Sequence, residues 1–261
     1  MKVALKTWTG LGLATALVGA GLAGCAGEGG ENGETTPATQ GGESGESGGE
    51  AGEGEGGESG ESGGDIGKLP LPKRVVFMSG HVAAGIALYR AGNSEAAAPH
   101  LLHPVSETHA DERAGLAELG FDASPFESVS AALEAGKPAE EIEPQLNAAE
   151  ANIAKLRQDA GGDTAELIRY LMEVASEEYA IAVPDTSVVD PAEYQDAWGF
   201  VVIARELADG LDAPKASEVR TTLDTMLSLW PDDAPIPPDN PASAGQVSAL
   251  ASRVALDLPQ T

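Results

Sequence analysis

The sequence predicts an all-α protein, and three observations carry that reading. Apolar residues recur at the three-and-four spacing of a helix face from about residue 66 onward. No stretch of strand length alternates apolar and polar residues with period two. Gly, Pro and side-chain caps punctuate the chain at helix-length intervals.

The elements follow in order. Val75 to Ala91 reads as a helix stopped at Gly92, since glycine adopts the left-handed conformation that closes a helix. Ser94 is placed to cap a second helix that carries Ala96 to His103 and meets Pro104. Ser106 to Leu119 reads as helix ending at Gly120, and Ser124–Pro125 opens a short one closed by Gly136. Glu140 to Asp159 is long and amphipathic and ends at Gly161–Gly162. Asp163 caps the next, with Glu166 at the third helical position, as in a capping box. Asp190–Pro191 opens a helix to Leu207 or beyond, Ala216 to Leu229 forms another, and Ser243 to Leu256 a last one after a proline-rich loop. Short connections after residue 138 suit antiparallel packing. The expected architecture is a His-rich hairpin over 66–122 packed with an up-and-down helical bundle over 123–261, after a disordered tether.

The N-terminus has a different character. Lys2 and Lys6 precede an apolar run from Leu11 to Leu22, and Leu22-Ala23-Gly24-Cys25 follows. A basic start, a short apolar core and small residues before the cut describe an export signal over 1–24, and the run is too short for a membrane span. The tetrapeptide matches the lipobox of bacterial lipoproteins. That resemblance implies cleavage before Cys25 and lipidation of its thiol, which anchors the chain to a membrane of the cell envelope. The expected location is the periplasmic or extracellular face, and the outer membrane if the cell has one. The plainer alternative is an ordinary signal that contains a cysteine. Cys25 is the chain's one cysteine, so an internal disulfide framework is excluded.

Residues 25–65 form the tether. Between Ala26 and Gly64 lie ten glutamates, no Lys or Arg and no aromatic residue. Such a segment buries too little apolar area to offset its chain entropy, and it reads as a spacer rather than as a cation-collecting brush. The formal net charge of −27 excludes nucleic acid as a partner.

Chemistry concentrates in one place. All four histidines, His81, His100, His103 and His109, fall between residues 81 and 109. His100 and His103 are three apart on a helix face and Glu107 lies four beyond His103. A preceding helix folded back as a hairpin brings His81 to the same patch. Imidazole suits zinc, copper, iron and nickel, and added carboxylate favours harder ions over copper(I). The candidate ligands are His81, His100, His103 and Glu107, with His109 as reserve. The expected cofactor is a transition metal ion, iron first, with copper or zinc as alternatives. The competing reading makes these histidines surface, core or interface groups of a protein-interaction module. No GxSxG elbow, phosphate loop or HExxH is present, so enzyme activity has no positive support. Trp198, Phe200, Trp230 and Tyr170 read as core.

Two resemblances to known families follow from quoted residues. Gly85, Leu88, Tyr89, Ala91-Gly92 and Glu95-Ala96-Ala97 give the hairpin at 75–120 a spacing that resembles a single tetratricopeptide-type unit. From Glu166 to Leu211 the chain carries Leu171, Glu178-Tyr179, Ala182-Val183, Val188-Val189 and Glu193-Tyr194. This stretch resembles the extracytoplasmic helical domain of bacterial high-affinity iron permeases. That resemblance implies an envelope component of iron acquisition or handling, with an iron permease or another envelope protein as partner. Read from the residues alone, the stretch is two antiparallel helices. Glu177, Glu178, Asp190 and Glu193 near their turn form either a second acidic site or a solvated loop, and the loop is the expected outcome.

Overall fold

In a computed structural model, the residues described are 66–106, 113–231 and 234–259. The export signal, Cys25 and the tether lie outside them, as do Glu107 and His109. The described residues contain eight α-helices and no strand: α1 Leu71–Arg90, α2 Ser94–Leu102, α3 Ser124–Glu134, α4 Ala139–Ala160, α5 Thr164–Ala182, α6 Pro191–Asp209, α7 Ala216–Leu227 and α8 Ala244–Asp257. No described helix is long and apolar enough to cross a membrane.

Helices α5 to α8 form a four-helix bundle in which each packs on the next and α8 returns to α5. Leu167, Ile168, Leu171, Val201, Val219, Leu223, Val247 and Val254 fill its core. Side-chain oxygens hold three of the helix starts. Asp163 accepts from the Glu166 amide, Asp190 accepts from the amides of Ala192 and Glu193, and Ser243 forms a reciprocal capping box with Gln246. Each such cap is worth about 1 kcal/mol. At the α5–α6 end, Tyr179 and Tyr194 pack with Trp230, whose indole donates to the Tyr194 carbonyl at 3.1 Å.

A second core lies on the other side of α1. Val75, Met78, Val82 and Ile86 pack there with Leu101 of α2, Phe126 of α3, and Leu146 and Ile153 of α4. Val76, Phe77 and Ala84 of α1 face the bundle instead. Helix α1 is therefore apolar around most of its circumference, as expected of a helix enclosed by others. Helices α3 and α4 share their core with the hairpin of α1 and α2, not with the bundle.

The expected helix over Ser106–Leu119 is not formed by its described part. Residues Arg113–Leu116 are a turn, and Ala117–Leu119 is a single 3₁₀ turn closed at Gly120 with φ 86°. Gly115 explains this: its φ of 84° places a left-handed residue where the helix would have run. In α4, Pro144 removes a backbone donor and Ile142 leaves helical dihedrals, so the first turn is kinked against the rest. The helix-stop glycines Gly92, Gly136 and Gly161 all have positive φ.

Two close helix approaches position the site. A Cβ on Gly199 of α6 would lie 2.2 Å from the Gly80 carbonyl oxygen of α1, and a Cβ on Gly80 would lie 2.2 Å from the Phe200 ring. Only glycine at both positions lets α1 and α6 come this near. Gly85 does the same for α2, since its Cβ would meet Leu101 at 2.7 Å and His100 at 3.0 Å.

Candidate metal centre

His81 follows Gly80, and Asp196 precedes Gly199 by three residues, so the glycine crossing of α1 and α6 places the two side chains together. His81 Nδ1 lies 2.7 Å from Asp196 Oδ1. His100 Nδ1, carried in by α2, lies 2.9 Å from the same oxygen. His100 Nε2 lies 2.9 Å from Gln195 Oε1. All four side chains are buried. One potential ligand atom from each of His81, His100 and Asp196 falls within 4.8 Å of the others.

Aromatic rings wall the cluster. Phe77 meets His81 edge-on at 4.7 Å and stacks on Phe200 at 5.1 Å. His103 stacks on His81 with ring centroids 4.2 Å apart and planes 16° from parallel. Imidazole lone pairs lie in the ring plane, so rings stacked as closely as His81 and His103 do not aim at one point. His81 and His100, 24° from parallel with centroids 6.2 Å apart, instead both meet Asp196 Oδ1 through Nδ1. His103 thus flanks the His81–His100–Asp196 cluster.

The electrostatics follow from burial and contact. Both nitrogens of His100 face oxygen acceptors, which is the arrangement of a doubly protonated ring. Burial opposes that charge, but the Asp196 carboxylate, aided by Gln195, outweighs it and holds the His100 pKa above its ordinary value. Burial likewise works to raise Asp196, but His100 and then His81 hold it well below the usual carboxylate range. The site is a buried imidazolium–carboxylate pair. Donors bound to one ion at about 2.1 Å sit roughly 3–4 Å apart, so the 2.7 and 2.9 Å contacts to Asp196 Oδ1 would open slightly to admit one. A cation can therefore take the place that protons now occupy.

Two further acids lie beside this cluster. Glu178 on α5 and Glu193 on α6 are 2% and 3% exposed. Their side chains are hydrogen-bonded to each other. Burial raises the Glu193 pKa against that bond, with Asp196 and Asp190 adding to the rise. The expectation of a solvated loop is corrected for these two residues: helical phase turns them inward, while Glu177 stays exposed and Asp190 caps α6. Of the sequence-derived ligands, the structure brings His81 and His100 together on one carboxylate and stacks His103 beside them.

Asp196 and Gln195 escaped the sequence reading. The signal for Asp196 was its place four residues before Phe200, which puts a carboxylate on an otherwise apolar face of α6. Glu178 had a signal of the same kind, since it falls in the stripe Leu171, Ala175, Glu178, Ala182, every other member of which is apolar.

With the bundle of α5 to α8 described, its likeness to a known family can be stated. Residues 157–260 match the iron permease-associated 4-helix bundle domain. No curated protein and no solved structure matches the chain. The matched region holds Glu178, Glu193, Gln195 and Asp196, whereas His81, His100 and His103 come from the helices before it. The resemblance drawn from Glu166 to Leu211 falls within this domain.

Proposed function

We propose that this chain is an iron-handling protein of the bacterial cell envelope that binds a transition metal ion through His81, His100 and Asp196, with His103 beside them. The observation that carries the reading is the convergence of these three buried side chains from α1, α2 and α6. The match of residues 157–260 to an iron permease-associated domain supports iron as the ion. Two imidazoles and a carboxylate also suit iron(II) or zinc better than copper(I). Met78, whose thioether would favour copper, packs in the second core with Leu101 and Phe126.

Cys25 anchors the chain through its lipid, residues 25–65 let the helical domain stand off the membrane, and an iron permease is the partner. Docking through the histidines has little support from their position, because all three described ones are buried. The test is metal analysis and titration of the full chain with iron(II), zinc and copper, beside a His81→Ala, His100→Ala variant. One or more equivalents of metal in the parent chain, lost in the variant, is expected. A folded parent chain with no metal above background would overturn the reading.

A further inference from the structure

His100 is held at both ends of its ring. Nδ1 lies 2.9 Å from Asp196 Oδ1, and Nε2 lies 2.9 Å from Gln195 Oε1. The two gripping residues are neighbours on α6, and all three side chains are buried. Half a turn about Cβ–Cγ would exchange each nitrogen for a ring carbon and leave both oxygens facing C–H groups. The ring therefore has one orientation. Helix α1 packs against its base, where a Cβ on Gly85 would lie 3.0 Å from His100 Cβ.

The two oxygens differ in charge. A carboxylate attracts a cation, whereas an amide oxygen accepts a hydrogen bond without neutralising a charge. His81 Nδ1 meets the same Asp196 oxygen, at 2.7 Å. One end of the His100 ring thus faces an anion that it shares with a second imidazole, and the other end faces a neutral acceptor. A neutral imidazole has one N–H and one lone pair. A metal-bound histidine almost always donates its other ring N–H to an oxygen, which fixes its tautomer and its orientation. Gln195 Oε1 stands where such an oxygen would.

We propose that Gln195 is a positioning residue of the metal centre: it keeps the proton on His100 Nε2, so that the ion is held through Nδ1, the nitrogen that His81 also presents to Asp196. This rests on the reading of His81, His100 and Asp196 as metal ligands. Gln195 lies within the domain matched at 157–260, while the ring it orients comes from α2. The adjacent pair Gln195-Asp196 thereby assigns the two ends of one histidine to two tasks, one to the ion and one to the protein.

The test loads the full chain, labelled with nitrogen-15 at histidine, with cadmium-113, whose spin splits the resonance of a ring nitrogen bound to it. In the parent chain two imidazoles should be split, both at Nδ1, and one of them should carry a slowly exchanging Nε2 proton. Gln195→Leu keeps a buried side chain of similar size but removes the acceptor, and it should bind cadmium about 10–100-fold more weakly. Gln195→Glu restores an acceptor oxygen and should keep both the Nδ1 splitting and an affinity no weaker than the parent's. Splitting at Nε2 in the parent overturns the proposal and leaves the ligand set standing, as does a leucine variant that binds as tightly as the parent. Equal weakening in the leucine and glutamate variants would show that Gln195 only packs, and also overturns it. A folded parent chain that binds no cadmium, or binds it without splitting any imidazole, overturns the proposal and the ligand reading together. The parent's splitting and the glutamate variant decide the matter even if the leucine variant fails to fold.

Discussion

Asp196 is the residue on which the site turns, because two buried histidines share one of its oxygens. Removing one partner of a buried ion pair leaves the other charge uncompensated, typically at about 3–5 kcal/mol. Asp196→Asn should therefore destabilise the metal-free chain by roughly that amount, read by chemical denaturation near pH 6. The pH dependence has a definite sign. Asp196 is depressed in the folded state, so its contribution is present above the ordinary carboxylate range and is lost as pH falls through its lowered value. His100 is raised, so its contribution is complete below the ordinary imidazole value of about 6.5 and is lost as pH rises through its raised value. Metal-free stability should thus be greatest between those limits and fall on the alkaline side. Metal binding must displace the imidazolium proton, so the metal-dependent gain in Tm should grow over the range where the metal-free Tm declines. Parallel pH profiles with and without metal would sink this account.

At the scale of elements, the α1–α6 crossing matters more than any single cap. Gly199 meets the Gly80 backbone, which cannot move aside as a side-chain tip can. Gly199→Ala should cost about 3 kcal/mol through overpacking and should weaken metal binding as well, because it pushes His81 away from Asp196. Asp163→Ala offers the contrast. It removes the cap of α5 at about 1 kcal/mol, some 22 Å along that helix from Glu178 at 1.5 Å per residue. Its Tm should drop while its metal affinity stays unchanged. Equal losses of affinity in the two variants would show that the crossing does not set the site. The guanidinium of Arg90 binds Glu143 and Glu150 of α4 at 2.8 and 2.9 Å, but partly exposed pairs of this kind contribute at most about 1 kcal/mol. The apolar faces hold α1 to α4.

At the scale of the whole molecule, α1 joins two cores. Its residues Val76 and Phe77 belong to the bundle core, and Val75 and Met78 to the core with α2, α3 and α4. Losing either core uncovers one side of α1, so the two should unfold together. Leu146→Ala on α4 and Leu223→Ala on α7 remove fully buried side chains from opposite cores, each at about 2–5 kcal/mol. Calorimetry should show one transition in the parent and in both variants, lowered in each. A bound ion clips α1 and α2 to α6, so metal at 100 times its Kd should raise that one transition by the equivalent of about 2.7 kcal/mol. Two separated transitions, with metal acting on only one, would show that α1 does not couple the cores.

Local chemistry made much of this legible in the sequence. Helix class, the stops at Gly92, Gly120 and Gly136, and the cap at Asp163 depend on residues within a turn of one another, and the chain spells them out, while the cap expected at Ser94 falls one residue earlier, on Asn93. The resemblance of the bundle to the iron permease-associated domain was readable for the same reason, in the spacing from Leu171 to Tyr194. The concentration of histidines between residues 81 and 109 marked where polar chemistry would gather. What joins them was not readable. Asp196 meets His81 only because Gly80 and Gly199 let two helices distant in sequence touch, and Glu178 meets Glu193 only because α5 and α6 pack face to face. The described part of Ser106–Leu119, from Arg113 on, is not helix because Gly115 took a left-handed conformation that composition allows but does not require. The sequence by itself determined the elements and the types of donor available, since propensity, capping and charge are local. The tertiary structure alone decided which donors share a buried space, because burial and proximity belong to helix packing.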